Sequence, residues 1–298
     1  LWTGAFLRPS DVALPGEQLA VVGQHQQLVR QLTDEGELLR QHQLLLAAVR
    51  GDGRAWSLES GRYLTRQMTG GPLQGMADVA ALTGDSSYIK AIDAIWDNIV
   101  SKKYYLTGGV GARHAGEAFG DNYELPNLTA YNETCAAIAQ VYLNQRMFLL
   151  HGDSKYIDCL ERSLYNGVID GMSIDGGKFF YPNPLASDGK YRFNADNTLD
   201  RQPWFGCACC PSNLCRFIPS LPGYLYAVKD NNIYVNLFSG NKSTLDVNGK
   251  KVSLEETTEY PWNGDIAITV KEAKTSDFNL MVRIPGWVKN QVVPSDLY

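Results

Sequence analysis

Trp204-Phe205-Gly206-Cys207-Ala208-Cys209-Cys210-Pro211-Ser212-Asn213 is the stretch on which the reading of this chain turns. Four of the six cysteines lie between Cys207 and Cys215. Adjacent cysteines such as Cys209 and Cys210 rarely bridge each other, because the peptide between them strains the disulfide ring. Free cysteine is often a small buried hydrophobe, so a cysteine-rich core turn is the plainest account. A cluster this dense fits better with a soft metal held by thiolates. Such a site needs further ligands, and only two cysteines remain elsewhere, Cys135 and Cys159.

Cys135 closes a second unusual stretch. Gly108-Gly109-Val110-Gly111-Ala112-Arg113-His114-Ala115-Gly116-Glu117-Ala118-Phe119-Gly120 continues through Asp121-Asn122-Tyr123-Glu124 to Tyr131-Asn132-Glu133-Thr134-Cys135. Two carboxylates, Glu117 and Glu133, precede the thiol and stand 16 residues apart, so they sit on different elements and can take different roles. The two stretches together can make a Glu/Cys₃ zinc site, with one carboxylate left over for proton transfer.

At these residues the chain resembles the glycoside hydrolase family of zinc- and cysteine-dependent β-L-arabinofuranosidases, formerly a domain of unknown function. The resemblance runs from about Gly75 to about Trp287. It is strong over 108–139 and 179–217, with Arg283-Ile284-Pro285-Gly286-Trp287 as a weaker late match. It implies Zn²⁺ held by Glu133, Cys135, Cys209 and Cys210, with Cys209 also the nucleophile and Glu117 the general acid/base. Tyr181, in Phe180-Tyr181-Pro182-Asn183-Pro184, matches a family tyrosine near the nucleophile and is the substrate-site candidate. The family pattern does not use Cys207 as a ligand and does not require His114. Asp121, Asn122 and Glu124 are candidates to line the pocket, whereas Cys159 and Cys215 read as core residues.

The chemistry behind those roles is physical. Zinc and nearby donors keep a cysteine as thiolate at neutral pH, although coordination also blunts its nucleophilicity. An acid catalyst must hold its proton near neutral pH, which needs apolar surroundings or neighbouring negative charge. The implied reaction is retaining hydrolysis of β-linked L-arabinofuranose, or a related sugar, with sulfur replacing the usual carboxylate nucleophile. An arabinose-containing oligosaccharide or glycoconjugate is then the expected partner. Two alternatives stand beside it. One is an inactive, zinc-stabilised remnant of such an enzyme; the other is a zinc–thiolate structural or redox module.

Composition narrows the field. The chain has 298 residues, 44% hydrophobic and 20% charged, which suits one large globular domain or two. The net charge of −5 points to neither nucleic acid nor an anionic membrane as partner. No apolar run reaches the length of a bilayer, and no signal-peptide pattern follows Leu1, so a cytoplasmic protein is expected. Clustered cysteines do not look like a secreted disulfide framework.

The first 72 residues contain no Lys, Ile or Asn. Leucines at helical spacing predict a pair of amphipathic helices over Gln18–Arg50, but none of the family motifs appears there. Residues 1–72 are therefore expected to be an atypical helical segment, either of separate origin or a divergent N-terminal helical region. From Met76 the pattern is cleaner. A helix should end at Thr83-Gly84, a second start at Asp85, a third span Asn127–Leu150 and a fourth span Ser154–Met172. Lys178–Tyr181 reads as a strand and Asn213–Ala227 as a helix broken at Pro219 and Pro222. Five strands follow, over 233–238, 243–247, 251–257, 265–270 and 279–283, with Asn248-Gly249 as a hairpin turn. The expected fold is mainly α, then β: an incomplete (α/α) toroid-type barrel over 73–230, then a truncated β-sandwich over 231–298. A partial ring leaves apolar helix faces open, which predicts aggregation or a homo-oligomer.

Overall fold

The computed structural model describes residues 72–275 and 277–298. The helical pair expected over Gln18–Arg50 lies outside the described residues. The described chain is helical first and then forms two small sheets.

Helix α1 (Pro72–Thr83) leads into α2 (Ser86–Lys102), whose N-terminus is capped by Asp85 accepting from Ser87 N. The apolar stripe of α2 buries Ile92, Ile95, Trp96 and Ile99. Trp96 Nε1 donates to Asn144 Oδ1 at 2.8 Å, so the indole meets the core without an unsatisfied N–H. Asn144 belongs to α3 (Thr134–His151), which is buried almost all round and is therefore the central helix. Gly152 ends α3, and Asp153 caps α4 (Ser154–Ser163) through Lys155 N. The chain continues helically through a π-turn at Leu164–Val168 and a 3₁₀ turn at Ile169–Gly171.

After a long irregular segment come α5 (Cys209–Phe217), a 3₁₀ turn at Ile218–Ser220 and the short α6 (Pro222–Leu225). Strands β1 (Tyr226–Lys229), β2 (Asn232–Val235) and β6 (Asn279–Val282) form one sheet in the order β1-β2-β6. Strands β3 (Asn241–Val247), β4 (Lys250–Thr258) and β5 (Ile266–Ala273) form an antiparallel meander. Asn248 and Gly249 both have positive φ, as a two-residue hairpin turn requires. Ile233, Val247, Val252 and Leu254 pack a small core between these strands.

A polar knot ties the last strands to the helices. Arg283, directly after β6, donates to Asp158 Oδ1 at 2.6 Å and to Glu161 Oε1, both on α4. Tyr260 OH donates to the same Glu161 oxygen at 2.9 Å. Arg283 and Glu161 are buried. Among the described residues no helix is long and apolar enough to cross a membrane.

Several expected boundaries move. The helix expected from Asn127 starts only at Thr134, because Asn132 adopts φ +40° and Glu133 is extended and bridges Pro182. The strand expected at Lys178–Tyr181 is reduced to isolated bridges of Phe179 with Met172 and Gln202. The helix expected from Asn213 begins four residues earlier, at Cys209, and its tail, Tyr226-Ala227, belongs to β1. The strand expected over 233–238 ends at Val235. Cys215, expected in the core, is exposed. Helix α5 turns Cys210, Leu214 and Phe217 inward, at steps of four and three, and this leaves Cys215 on the outer side.

Candidate active site and metal centre

Two helix N-termini meet at the site. Cys135 lies in the first turn of α3, and Cys209 and Cys210 open α5. Unpaired N–H groups and the helix dipole at such ends favour thiolate over thiol. Pro211 costs nothing there, since the N–H it lacks would have had no partner within the helix. The segment before α3 is laced to the chain around Tyr181. Thr134 N donates to Tyr181 O at 2.9 Å, Thr134 Oγ1 donates to Phe180 O at 3.0 Å, and Asn183 N donates to Asn132 O at 3.1 Å. These bonds hold Glu133 extended at the mouth of its helix.

The four residues named for the metal come together. One donor atom from each of Glu133, Cys135, Cys209 and Cys210 lies within 4.8 Å of all the others. Cys209 Sγ is 3.7 Å from Cys135 Sγ and 3.9 Å from Cys210 Sγ. Glu133 Oε1 is 3.5 Å from Cys209 Sγ and 3.4 Å from Cys210 Sγ. A tetrahedron with Zn–S of about 2.3 Å and Zn–O of about 2.0 Å has S···S edges of about 3.8 Å and S···O edges of about 3.5 Å. The donor set therefore fits a tetrahedral cation in both ligand type and spacing.

The electrostatics point the same way. Without a cation, four acidic groups this close cannot all lose their protons. Cys209 is drawn toward thiolate, chiefly by the Cys135 thiol and then by the Cys210 thiol. Cys135 is held protonated mainly by its contact with Cys209, and Cys210 mainly by burial. Burial, and then the charge on Cys209, push Glu133 up to about 8. Cys135 and Cys210 are buried, whereas Cys209 is partly open, so of the three clustered sulfurs Cys209 is the one a ligand can reach.

Tyr181 OH lies 2.5 Å from Cys209 Sγ and 3.7 Å from Cys207 Sγ. Phe205 packs edge-on against the Tyr181 ring. Cys207 is exposed and outside the four-donor cluster, and Cys159 is buried in the core.

Glu117 stands on a tight turn. Glu117 N donates to His114 O at 3.0 Å, and Arg113 and Ala118 pair as an antiparallel bridge. Gly116 has φ +75° and Glu117 itself φ +50°, a conformation that side chains with a Cβ adopt at a cost. The glutamate carboxyl accepts a hydrogen bond from Tyr131 OH at 3.1 Å. It is also near enough to Glu133 for its charge to help raise the Glu133 pKa.

Two further candidates are tied to one arginine. Arg113 takes up Asp121 and Glu124, the former at 2.9 Å, so both carboxylates brace the loop. Asn122 is exposed. Tyr131, Thr134 and Asn183 were not singled out for the site. Tyr131 and Thr134 stand beside Glu133 and Asn183 beside Tyr181, but nothing in the spacing reports which group a hydroxyl will reach.

A family model described as the β-L-arabinofuranosidase GH127 catalytic domain matches residues 28–223, and the GH127 middle domain matches residues 232–295. The chain belongs to the GH127 β-L-arabinofuranosidase family. The catalytic-domain match begins within the first 72 residues, where the motifs carried no resemblance. A relative from Bifidobacterium longum subsp. longum, a non-reducing end β-L-arabinofuranosidase, is 37% identical over 221 residues, which is 72% of this chain and 33% of the relative. A solved GH127 β-arabinofuranosidase is 66% identical with a TM-score of 0.71, covering 76% of this chain and 34% of that one. The GH127 β-L-arabinofuranosidase from Geobacillus stearothermophilus T6 is 43% identical with a TM-score of 0.68, covering 72% and 34%. This GH127 chain thus spans about a third of the length of the relatives it matches.

Proposed function

We propose that this chain carries the catalytic centre of a retaining β-L-arabinofuranosidase, with Cys209 as nucleophile, Glu117 as acid/base and Zn²⁺ held by Glu133, Cys135, Cys209 and Cys210. The observation that carries this reading is the four-donor cluster, four of whose edges, 3.4–3.9 Å, suit tetrahedral zinc and whose one reachable sulfur is Cys209. When bound, Zn²⁺ supplies the positive charge that lets the three sulfurs and Glu133 remain unprotonated together.

In the first half of the reaction, Cys209 Sγ forms a bond to the anomeric carbon as the bond to the leaving oxygen breaks. Glu117 gives its proton to that oxygen. In the second half, Glu117 takes a proton from water, the water oxygen bonds to the anomeric carbon, and the C–S bond breaks to release the sugar and restore the thiolate. Tyr181 OH, 2.5 Å from the sulfur, steadies the thiolate between turnovers and touches the bound sugar.

In this reading the helices over 73–230 are an arc of an (α/α) barrel and the strands over 231–298 part of a β-sandwich. The substrate is an arabinose-containing oligosaccharide or glycoconjugate. A second reading, a zinc-stabilised remnant without turnover, rests on the same four-donor cluster, because closed four-ligand zinc sites are usually structural. Hydrolysis of 4-nitrophenyl β-L-arabinofuranoside by the zinc-loaded chain separates the two. The enzyme reading expects steady turnover that is lost outright in Cys209→Ser, and lost in Glu117→Gln through the water-activating second half of the reaction. A folded, zinc-loaded chain without turnover leaves the remnant reading.

A further inference from the structure

We infer that Tyr131 is a positioning residue for proton transfer: its hydroxyl fixes the Glu117 carboxyl so that one chosen oxygen carries the proton. The inference rests on Glu117 being the acid/base. Tyr131 OH donates to Glu117 Oε1 at 3.1 Å. An oxygen that accepts a hydrogen bond is the carbonyl-type oxygen of a carboxylic acid, so the transferable proton resides on Oε2. The same bond serves both halves of the reaction. It supports the carboxylate after the proton has left and selects Oε2 again when water gives its proton back.

Three features make Tyr131 suited to this. The ring is buried and fixed, with His114 packed edge-on at 4.5 Å between centroids, so the hydroxyl has little freedom to wander. Its backbone is anchored through the next residue, whose N–H donates to Gly111 O at 2.9 Å and whose carbonyl accepts from Asn183. Two residues further on is Glu133, so the metal centre and the donor to the acid/base share one stretch of chain. Glu117, by contrast, is partly exposed and sits on a turn with two successive positive φ values. A half-exposed carboxyl on a strained turn is thus held by a buried donor on a hydrogen-bonded segment, and this preorganisation aims the proton.

The test is a pair of leaving groups. A 4-nitrophenolate departs with little help from an acid, whereas methanol leaves only with a proton. Tyr131→Phe removes one oxygen and keeps the ring against His114. The inference expects kcat on methyl β-L-arabinofuranoside to fall about 10-fold or more, with the 4-nitrophenyl glycoside changed less than about twofold in its first, bond-breaking step. Zinc content and melting temperature should stay at their unmutated values. Glu117→Gln, run beside it, should show the same selectivity at larger amplitude. Equal losses on both substrates, or none on either, overturn the role of Tyr131. Absence of leaving-group selectivity in Glu117→Gln, or of turnover in the unmutated chain, instead overturns the acid/base reading and this inference with it.

Discussion

Cys210 is fully buried with Glu133 Oε1 at 3.4 Å, so Cys210→Ser keeps the shape of the site while replacing a soft donor with a hard one. Changes that merely touch the surroundings of a ligand cost about 10–100-fold in metal affinity, so loss of a ligand sulfur should cost at least about 100-fold. Competition with a chromophoric chelator measures this, and unchanged affinity would remove Cys210 from the ligand set. Asp170 offers a prediction away from the metal. Burial raises its pKa to about 6, outweighing the pull of Arg201 in the other direction. The sign follows from comparing that value with an ordinary 3.8. Below 3.8 both folded and unfolded chains are protonated and no penalty exists; the penalty grows from pH 3.8 to 6 and is complete above it. Asp170→Asn should therefore stabilise the fold at pH 7, by up to about 3 kcal/mol, and leave it nearly unchanged at pH 3.5. Denaturant melts at the two pH values decide the matter. The four residues that cluster, Glu133, Cys135, Cys209 and Cys210, were legible in the sequence through the two stretches that carry the family resemblance. The Tyr131–Glu117 bond could not, because it depends on a turn that hides its geometry in two positive φ values.

At the scale of elements, α3 and α5 matter through where they begin. Helical periodicity located α2 and α4 because each has one apolar face and an aspartate cap. It misplaced the start of α3 because that helix is apolar nearly all round and carries no side-chain cap bond, so neither signal marks its first residue. The true start is set by bonds to the distant Phe180–Asn183 segment, which local pattern cannot report. The loop entering the site is packed as tightly. A Cβ on Gly108 would lie 2.7 Å from Ser163 N and 2.8 Å from Arg162 C, both backbone atoms of α4, and φ there is +83°. Neither obstacle can move cheaply, so Gly108→Ala should cost at least about 2 kcal/mol, or at least about 4 °C in Tm. An unchanged melting curve would mean that the loop has room that this packing denies.

Across the whole molecule, the Arg283 knot decides whether helices and sheets respond as one body. Its guanidinium is shared between Asp158 and Glu161 of α4, Glu161 also accepts from Tyr260, and Asp158 accepts from Gly286 N. Arg283 also donates through Nε to Asn236 O at 2.6 Å, so a single side chain bridges α4 and the chain just beyond β2. Arg283→Ala strands two carboxylates, one of them buried, without their cation. Breaking such a pair costs about 3–5 kcal/mol, mostly as the penalty for the charge left behind. The same reasoning says the knot need not be a large net stabiliser. If the cost comes from stranded charge, then Arg283→Met combined with Asp158→Asn and Glu161→Gln should recover most of it. Calorimetry on the series separates specificity from stability. Recovery of a single sharp transition in the triple variant would show that apolar contact alone couples the sheets to the helices. A triple variant that melts in two steps, with the sheets lost first, would show that the directed bonds of Arg283 hold the two parts together.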